Sequence, residues 1–302
     1  MPMRFIYSPK YEVDIGSHVF PTCKYRLVRE RLLEEGLARE EDFVEPAPAT
    51  RAQLELAHTP EYLEDLEHLR WTDRTRFSEL PLTKPIVDAY VLAAGGTILG
   101  ARIALTAPER LCVHLGGGFH HAFADKAEGF CYINDIAVAI RVMQHEQRIH
   151  TAMVVDCDLH QGNGTARIFE NDPTVFTFSI HQENNYPLKE RSDLDIGLED
   201  FAGDSEYLSA LSDGLEIAFS QHKPELLVYV AGVDPYYDDQ LGALKLTKEG
   251  MKARDELVLG EARKRGIPAV IVFAGGYARK LNDVVELHTQ TCRVAYELVT
   301  QG

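Results

Sequence analysis

Apolar residues along the chain switch between two periods. Short β-branched runs bounded by turn residues occupy 4–7, 111–115, 153–157, 175–180, 226–230 and 269–273, and each predicts a strand. Between them, apolar positions recur at helical spacing over 23–35, 60–69, 133–146, 205–222, 247–265 and 283–299. The clearest helix stop follows Arg263, Lys264 and Arg265: three cations complement a helix C-terminus, Gly266 offers a left-handed cap, and Pro268 forbids continuation. Alternation of strand and helix predicts an α/β fold, a mainly parallel sheet with helices on both faces. Two stretches, 74–85 and 182–203, are predicted as long loops, which in compact domains are often functional.

Four polar clusters follow the C-terminal ends of predicted strands. GGGFHHA follows 111–115, DLHQGNG follows 153–157, AGVDP follows 226–230 and AGGYA follows 269–273. In an open parallel sheet that edge is where ligands bind, so segments distant in sequence are expected to meet in one crevice.

Composition narrows the class. A chain of 302 residues buries roughly three quarters of its unfolded surface, and no linker or repeat divides it, so one domain over 1–302 is expected. Hydrophobic residues make up 45% and charged residues 26%, ordinary for a globular protein. No uninterrupted apolar run approaches the roughly 18 to 20 residues of a membrane span, and the opening MPMRFIYSPKYEVD has no apolar segment or cleavage site of a secretory signal. The five cysteines, Cys23, Cys112, Cys131, Cys157 and Cys292, are scattered without a CxxC pair. That argues against a disulfide framework or a cysteine metal site, and a cytoplasmic location is expected. A net charge of −16 disfavours nucleic acid as a partner and favours a cationic one, such as a lysine tail or a polyamine. Nothing in the sequence sets the oligomeric state.

In VVDCDLHQGNG, an extended backbone puts Asp156, Asp158 and His160 on one side, because side chains repeat every two residues. An Asp after a strand is commonly a cap, and a lone His is commonly only hydrogen-bonded; the triplet is less common. Asp234, in AGVDP, adds a further carboxylate. Asp158, His160 and Asp234 make three protein ligands with a position left open, the pattern of a catalytic zinc site, although Fe(II) or Co(II) also suits so oxygen-rich a set. His120 and His121, after a triple glycine, offer a base and an acid near neutral pH.

The runs GGGFHHA, GFCYIND, VDCDLHQGNG, AGVD and AGGY, in this order, resemble the histone deacetylase family. QGNG, with the opening YSPKY and the stretch LPLTKPIVDAYVLAAGGTILGA, is similar to the class IV branch and its bacterial relatives. The resemblance spans about 5–298 and implies an open, mainly parallel eight-stranded sheet of the arginase/deacetylase type. It implies that Asp158, His160 and Asp234 hold one zinc ion, that Asp156 bonds His120, and that His121 is the main general base and acid with His120 an electrostatic partner. It also implies that Tyr277 donates to the substrate carbonyl, and that Gly129 and Phe130 wall a substrate tunnel opposite Tyr186. A potassium site is implied at the backbone carbonyls of Asp156, Asp158, His160, Ser179 and Ile180. Where many relatives carry Asp as the partner of the second histidine, this chain has Asn163, which predicts a less basic His121.

The implied activity is hydrolysis of an acyl-lysine amide in a peptide or protein. An acetylpolyamine amidohydrolase shares this chemistry, with Glu79, Glu183 or Glu190 available to meet distal ammonium groups. A manganese ureohydrolase, which needs two metals and further Asp ligands, and a module that binds acyl-lysine without cleaving it are the other readings.

Overall fold

The computed structural model describes residues 3–300. Its strands are β1 (Arg4–Ile6), β2 (Phe43–Val44), β3 (Leu111–His114), β4 (Ala152–Asp156), β5 (Val175–Gln182), β6 (Leu194–Leu198), β7 (Leu226–Val230) and β8 (Ala269–Val272). They form one eight-stranded sheet in the order β2-β1-β3-β8-β7-β4-β5-β6. Every pairing is parallel, so the sheet is wholly parallel where a mainly parallel one was expected. Central strands are buried at every position, as a sheet covered on both faces requires.

This order explains the convergence of the motifs. The four strands that precede them, β3, β8, β7 and β4, lie side by side at the centre of the sheet, although paired residues of neighbouring strands are from 42 (Leu227 and Ala269) to 158 (Leu111 and Ala269) positions apart in sequence. Their C-terminal ends share one edge, and the four loops have to meet there.

Helices α1 (Lys24–Glu34), α3 (Pro60–Glu67), α5 (Asp135–His145), α7 (Asp204–Gln221), α8 (Lys248–Lys264) and α9 (Leu281–Thr300) lie within two residues of the six expected. Local chemistry sets several ends. The Asn134 side chain accepts from Ala137 N–H to start α5, Thr247 accepts from Gly250 N–H to start α8, and Gly266 takes φ +66° just beyond α8.

Other elements depart from expectation. Helix α4 (Lys84–Thr106) was not predicted because it is apolar nearly all round and so has no helical period to find. By length and composition it is long and apolar enough to cross a membrane, although Asp88 and Arg102 interrupt it, so the apolar run itself stays shorter than a span, as expected. Here it is mostly buried, packed against α5, β3 and β8. The predicted loop 182–203 contains β6, an edge strand whose sequence LDIGL carries too little hydrophobic signal to be recognised. The short α2 (Arg51–Leu54) and α6 (Asn163–Phe169) and the two-residue β2 were also missed. All five cysteines are free thiols.

Candidate active site

Strand β4 stops at Asp156, and the three residues predicted to share one face of an extended strand are brought together by turns instead. The Asp156 carboxylate accepts Asp158 N–H at 3.1 Å and the Asp158 carboxylate accepts His160 N–H at 2.9 Å. Two successive side-chain turns thus aim Asp158 and His160 at one point while Asp156 faces elsewhere. Asp234, from the loop after β7, closes the group: Asp158, His160 and Asp234 are buried, and one ligand atom from each lies within 4.8 Å of the others.

Backbone donors from neighbouring loops aim both carboxylates. Gly275 N–H donates to Asp158 Oδ2 at 2.9 Å and Leu159 N–H donates to Asp234 Oδ1 at 2.9 Å. A Cβ on Gly275 would stand 2.2 Å from Asp234 Oδ2, so residue 275 must be glycine for this loop to approach so closely. His160 Nδ1 lies 3.2 Å from Asp158 Oδ1 and 3.2 Å from Asp234 Oδ2. Burial disfavours charge on this imidazole, yet the two carboxylates hold it up at about 10, while burial and then Asp158 raise Asp234 to about 6. Two buried carboxylates that must recruit a proton to stay together fit a divalent cation. The donor set of one nitrogen and two carboxylate oxygens fits it as well.

The adjacent histidines have different partners. His120 Nδ1 bonds Asp156 Oδ2 at 2.7 Å; burial opposes its charge, but Asp156 and Asp158 outweigh burial and push it up to about 9. His121 Nδ1 bonds Asn163 Oδ1 at 2.7 Å. Burial, followed by the His120 and His160 rings, holds His121 well below the ordinary histidine value. The Asn163 hydrogen bond acts in the other direction and raises His121, but the amide brings no charge to outweigh burial.

Tyr277 lines the same cavity, of about 280 Å³, with His120, His121, Asp158 and His160. Burial and then Asp234 and Asp158 raise its hydroxyl well above the usual phenol range, so it remains a donor. Asp239 accepts Tyr277 N–H at 2.7 Å and Leu241 N–H at 2.8 Å, clamping the tyrosine loop to the loop after β7. Sequence reasoning missed Asp239, five residues after Asp234.

The expected tunnel residues also lie at this cavity. Gly129 and Phe130 take φ +49° and +62°, and their N–H groups bond Phe77 O at 3.1 Å and Ser78 O at 2.8 Å. A Cβ on Gly129 would meet His121 Cδ2 at 2.6 Å and Tyr186 Oη at 2.7 Å, so the wall lies directly against the histidine. Tyr186, 40% exposed, sets its ring edge-on to His121 with centroids 5.2 Å apart. Of the three glutamates considered, Glu79 lines the cavity, whereas Glu183 and Glu190 do not. Phe20 and Glu128 complete the surroundings: Phe20 lies parallel to Phe130, and Glu128 accepts from Asn163 Nδ2 at 2.8 Å. Ser179 and Ile180 are buried on β5, where Ser179 pairs with Asp156 across the ladder.

Comparison with known proteins agrees with this architecture. A histone deacetylase domain model matches residues 18–292. An uncharacterised protein of Picosynechococcus sp. is 42% identical over 97% of this chain and 98% of its own length. Histone deacetylase 2 of Arabidopsis thaliana is 33% identical, with 93% of this chain and 77% of that protein covered. The crystal structure of an HDAC homolog from Aquifex aeolicus superposes with a TM-score of 0.82 at 23% identity, covering 98% of this chain and 84% of that one. The chain belongs to the histone deacetylase family, and its open, wholly parallel sheet has that family's fold.

Proposed function

We propose that this family hydrolase is a zinc-dependent amidohydrolase of class IV type that cleaves the amide of acyl-lysine, as a deacetylase or a longer-chain deacylase. The observation that carries the proposal is the meeting, at one cavity, of a buried Asp158–His160–Asp234 donor set, two histidines with different partners and a protonated Tyr277. Asp158, His160 and Asp234 would hold one zinc ion, which supplies a Lewis acid for the carbonyl and lowers the pKa of a water.

The chain's own residues account for the remaining steps. His121, neutral and with Nδ1 engaged by Asn163, accepts the water proton and returns it to the departing amine; such proton transfers contribute about 10²- to 10⁴-fold. His120, tied to Asp156, presents positive charge beside the developing oxyanion, and the Tyr277 hydroxyl donates to that oxygen. Phe20, Phe130 and Tyr186 enclose the thin acyl-lysine side chain and exclude water. Asp156, Asp158, His160, Ser179 and Ile180 would offer carbonyl oxygens to a potassium ion between the ends of β4 and β5. Five free thiols suit a cytoplasmic setting.

A second reading, an acetylpolyamine amidohydrolase, is favoured by the Glu79 carboxylate in the cavity lining and by the net charge of −16. Turnover of an acetyl-lysine peptide, a fatty acyl-lysine peptide and an acetylpolyamine by zinc-loaded protein separates the two. Hydrolysis of a lysine peptide is expected to dominate. Preferred cleavage of the polyamine would favour the second reading, and binding of all three without cleavage would refute both.

A further inference from the structure

Asn163 poses a problem that aspartate in its place would not. A carboxylate offers an acceptor whichever way it turns, whereas an amide can present either its oxygen or its NH₂ to His121. Only the first orientation leaves His121 with its proton on Nδ1 and a bare Nε2. The second puts the proton on Nε2 and removes the base. Something has to choose.

Glu128 is placed to make that choice. Its Oε1 receives Asn163 Nδ2 at 2.8 Å, while Asn163 Oδ1 faces His121 Nδ1 at 2.7 Å. A carboxylate only accepts, so the amide must give it the NH₂ and turn its oxygen to the histidine. The carboxylate is itself held: Lys126 Nζ donates to Oε2 at 2.6 Å, and Tyr186 Oη lies 3.4 Å from Oε1. The Glu128 side chain is only 16% exposed, which protects the contact from competing water. Among the described residues, Glu128 is the one hydrogen-bond partner of Asn163 Nδ2.

Building on the hydrolase mechanism proposed above, we infer that Glu128 is a positioning residue that acts through Asn163 to fix the orientation of the amide and hence the tautomer of His121. Its importance is conditional: Glu128 matters because residue 163 is Asn, and aspartate at 163 would make it dispensable.

The test is ¹⁵N NMR of histidine-labelled, zinc-loaded protein, with the His121 signals assigned by their loss in His121→Gln. The wild type is expected to show Nδ1 protonated and Nε2 bare. In Glu128→Ala both signals should move towards a mixture of tautomers, and in Glu128→Ala/Asn163→Asp they should return. Glu128→Gln keeps the volume but can turn either its oxygen or its NH₂ to Asn163, so it should also move the signals towards a mixture, and it covers the case in which the alanine variant does not fold. In turnover, Glu128→Ala should lose about tenfold in kcat with KM little changed, and the double variant should recover most of it. His121 signals that do not move in Glu128→Ala would overturn the inference, as would a rise in KM at constant kcat, which would make Glu128 a rim residue. The tautomer needs no substrate, so failure of the acyl-lysine assignment and failure of this inference are separable.

Discussion

The floor of the cavity and its rim are built on different physical terms. On the floor, Asp158 and Asp234 are 1% exposed, and each is aimed by a backbone N–H from another strand-end loop. At the rim, Tyr186 is 40% exposed and Leu188 92% exposed, carried on the loop between β5 and β6. A floor fixed by the sheet holds reacting groups within the tight tolerances that catalysis needs, whereas a loop rim can vary without disturbing them. Under the proposed function, the chemistry belongs to the floor and the choice of substrate to the rim.

The largest effect should come from breaking the floor. Asp234→Ala removes one proposed ligand and leaves Leu159 N–H without its acceptor, and kcat/KM should fall on the order of a thousandfold or more, with loss of bound metal. Full metal content with activity intact would contradict the ligand assignment. Tyr277→Phe keeps the shape and removes the donor; about a hundredfold loss, mainly in kcat, is expected. A loss confined to KM would show that the hydroxyl binds substrate rather than the oxyanion.

Beneath the floor, Lys24 is fully buried and donates to Ala274 O at 2.6 Å. Burial lowers it from 10.5 to about 8 despite the nearby Asp234, Asp158 and Asp239 carboxylates. Between about 8 and 10.5 the unfolded chain therefore binds more protons than the folded one, so this group makes stability rise with pH. In urea unfolding of metal-free protein, the stability of Lys24→Met relative to wild type should fall by about 3 kcal/mol across that window. A difference that stays constant with pH would show that Lys24 does not titrate there. The smallest effect belongs to the rim: Phe130→Ala should cost about tenfold in kcat/KM, chiefly through KM, and shift preference among acyl lengths. An equal loss for every acyl group, carried by kcat, would place Phe130 with the floor.

The floor was also the more legible region. Asp158, His160, Asp234 and Tyr277 each stand just past a β-branched run, so strand signal and polar cluster identify each other. The geometry that joins them was less visible: the period-two argument placed Asp156, Asp158 and His160 on one strand face, whereas two Asx-type turns do the work. Helix α4 escaped because apolarity on all sides erases periodicity, and β6 because an edge strand can be polar. Glu128 and Asp239 escaped for another reason. Their partners, Asn163 and Tyr277, are 35 and 38 residues away, and neither carboxylate has a local pattern to mark it.

The most direct test of the account is a zinc titration of metal-free protein, following acyl-lysine hydrolysis and bound metal together. Activity should rise in proportion to zinc and saturate at one ion per chain, and Asp234→Ala should neither retain the ion nor respond. Saturation at two ions per chain, or hydrolysis undiminished in metal-free protein, would contradict it.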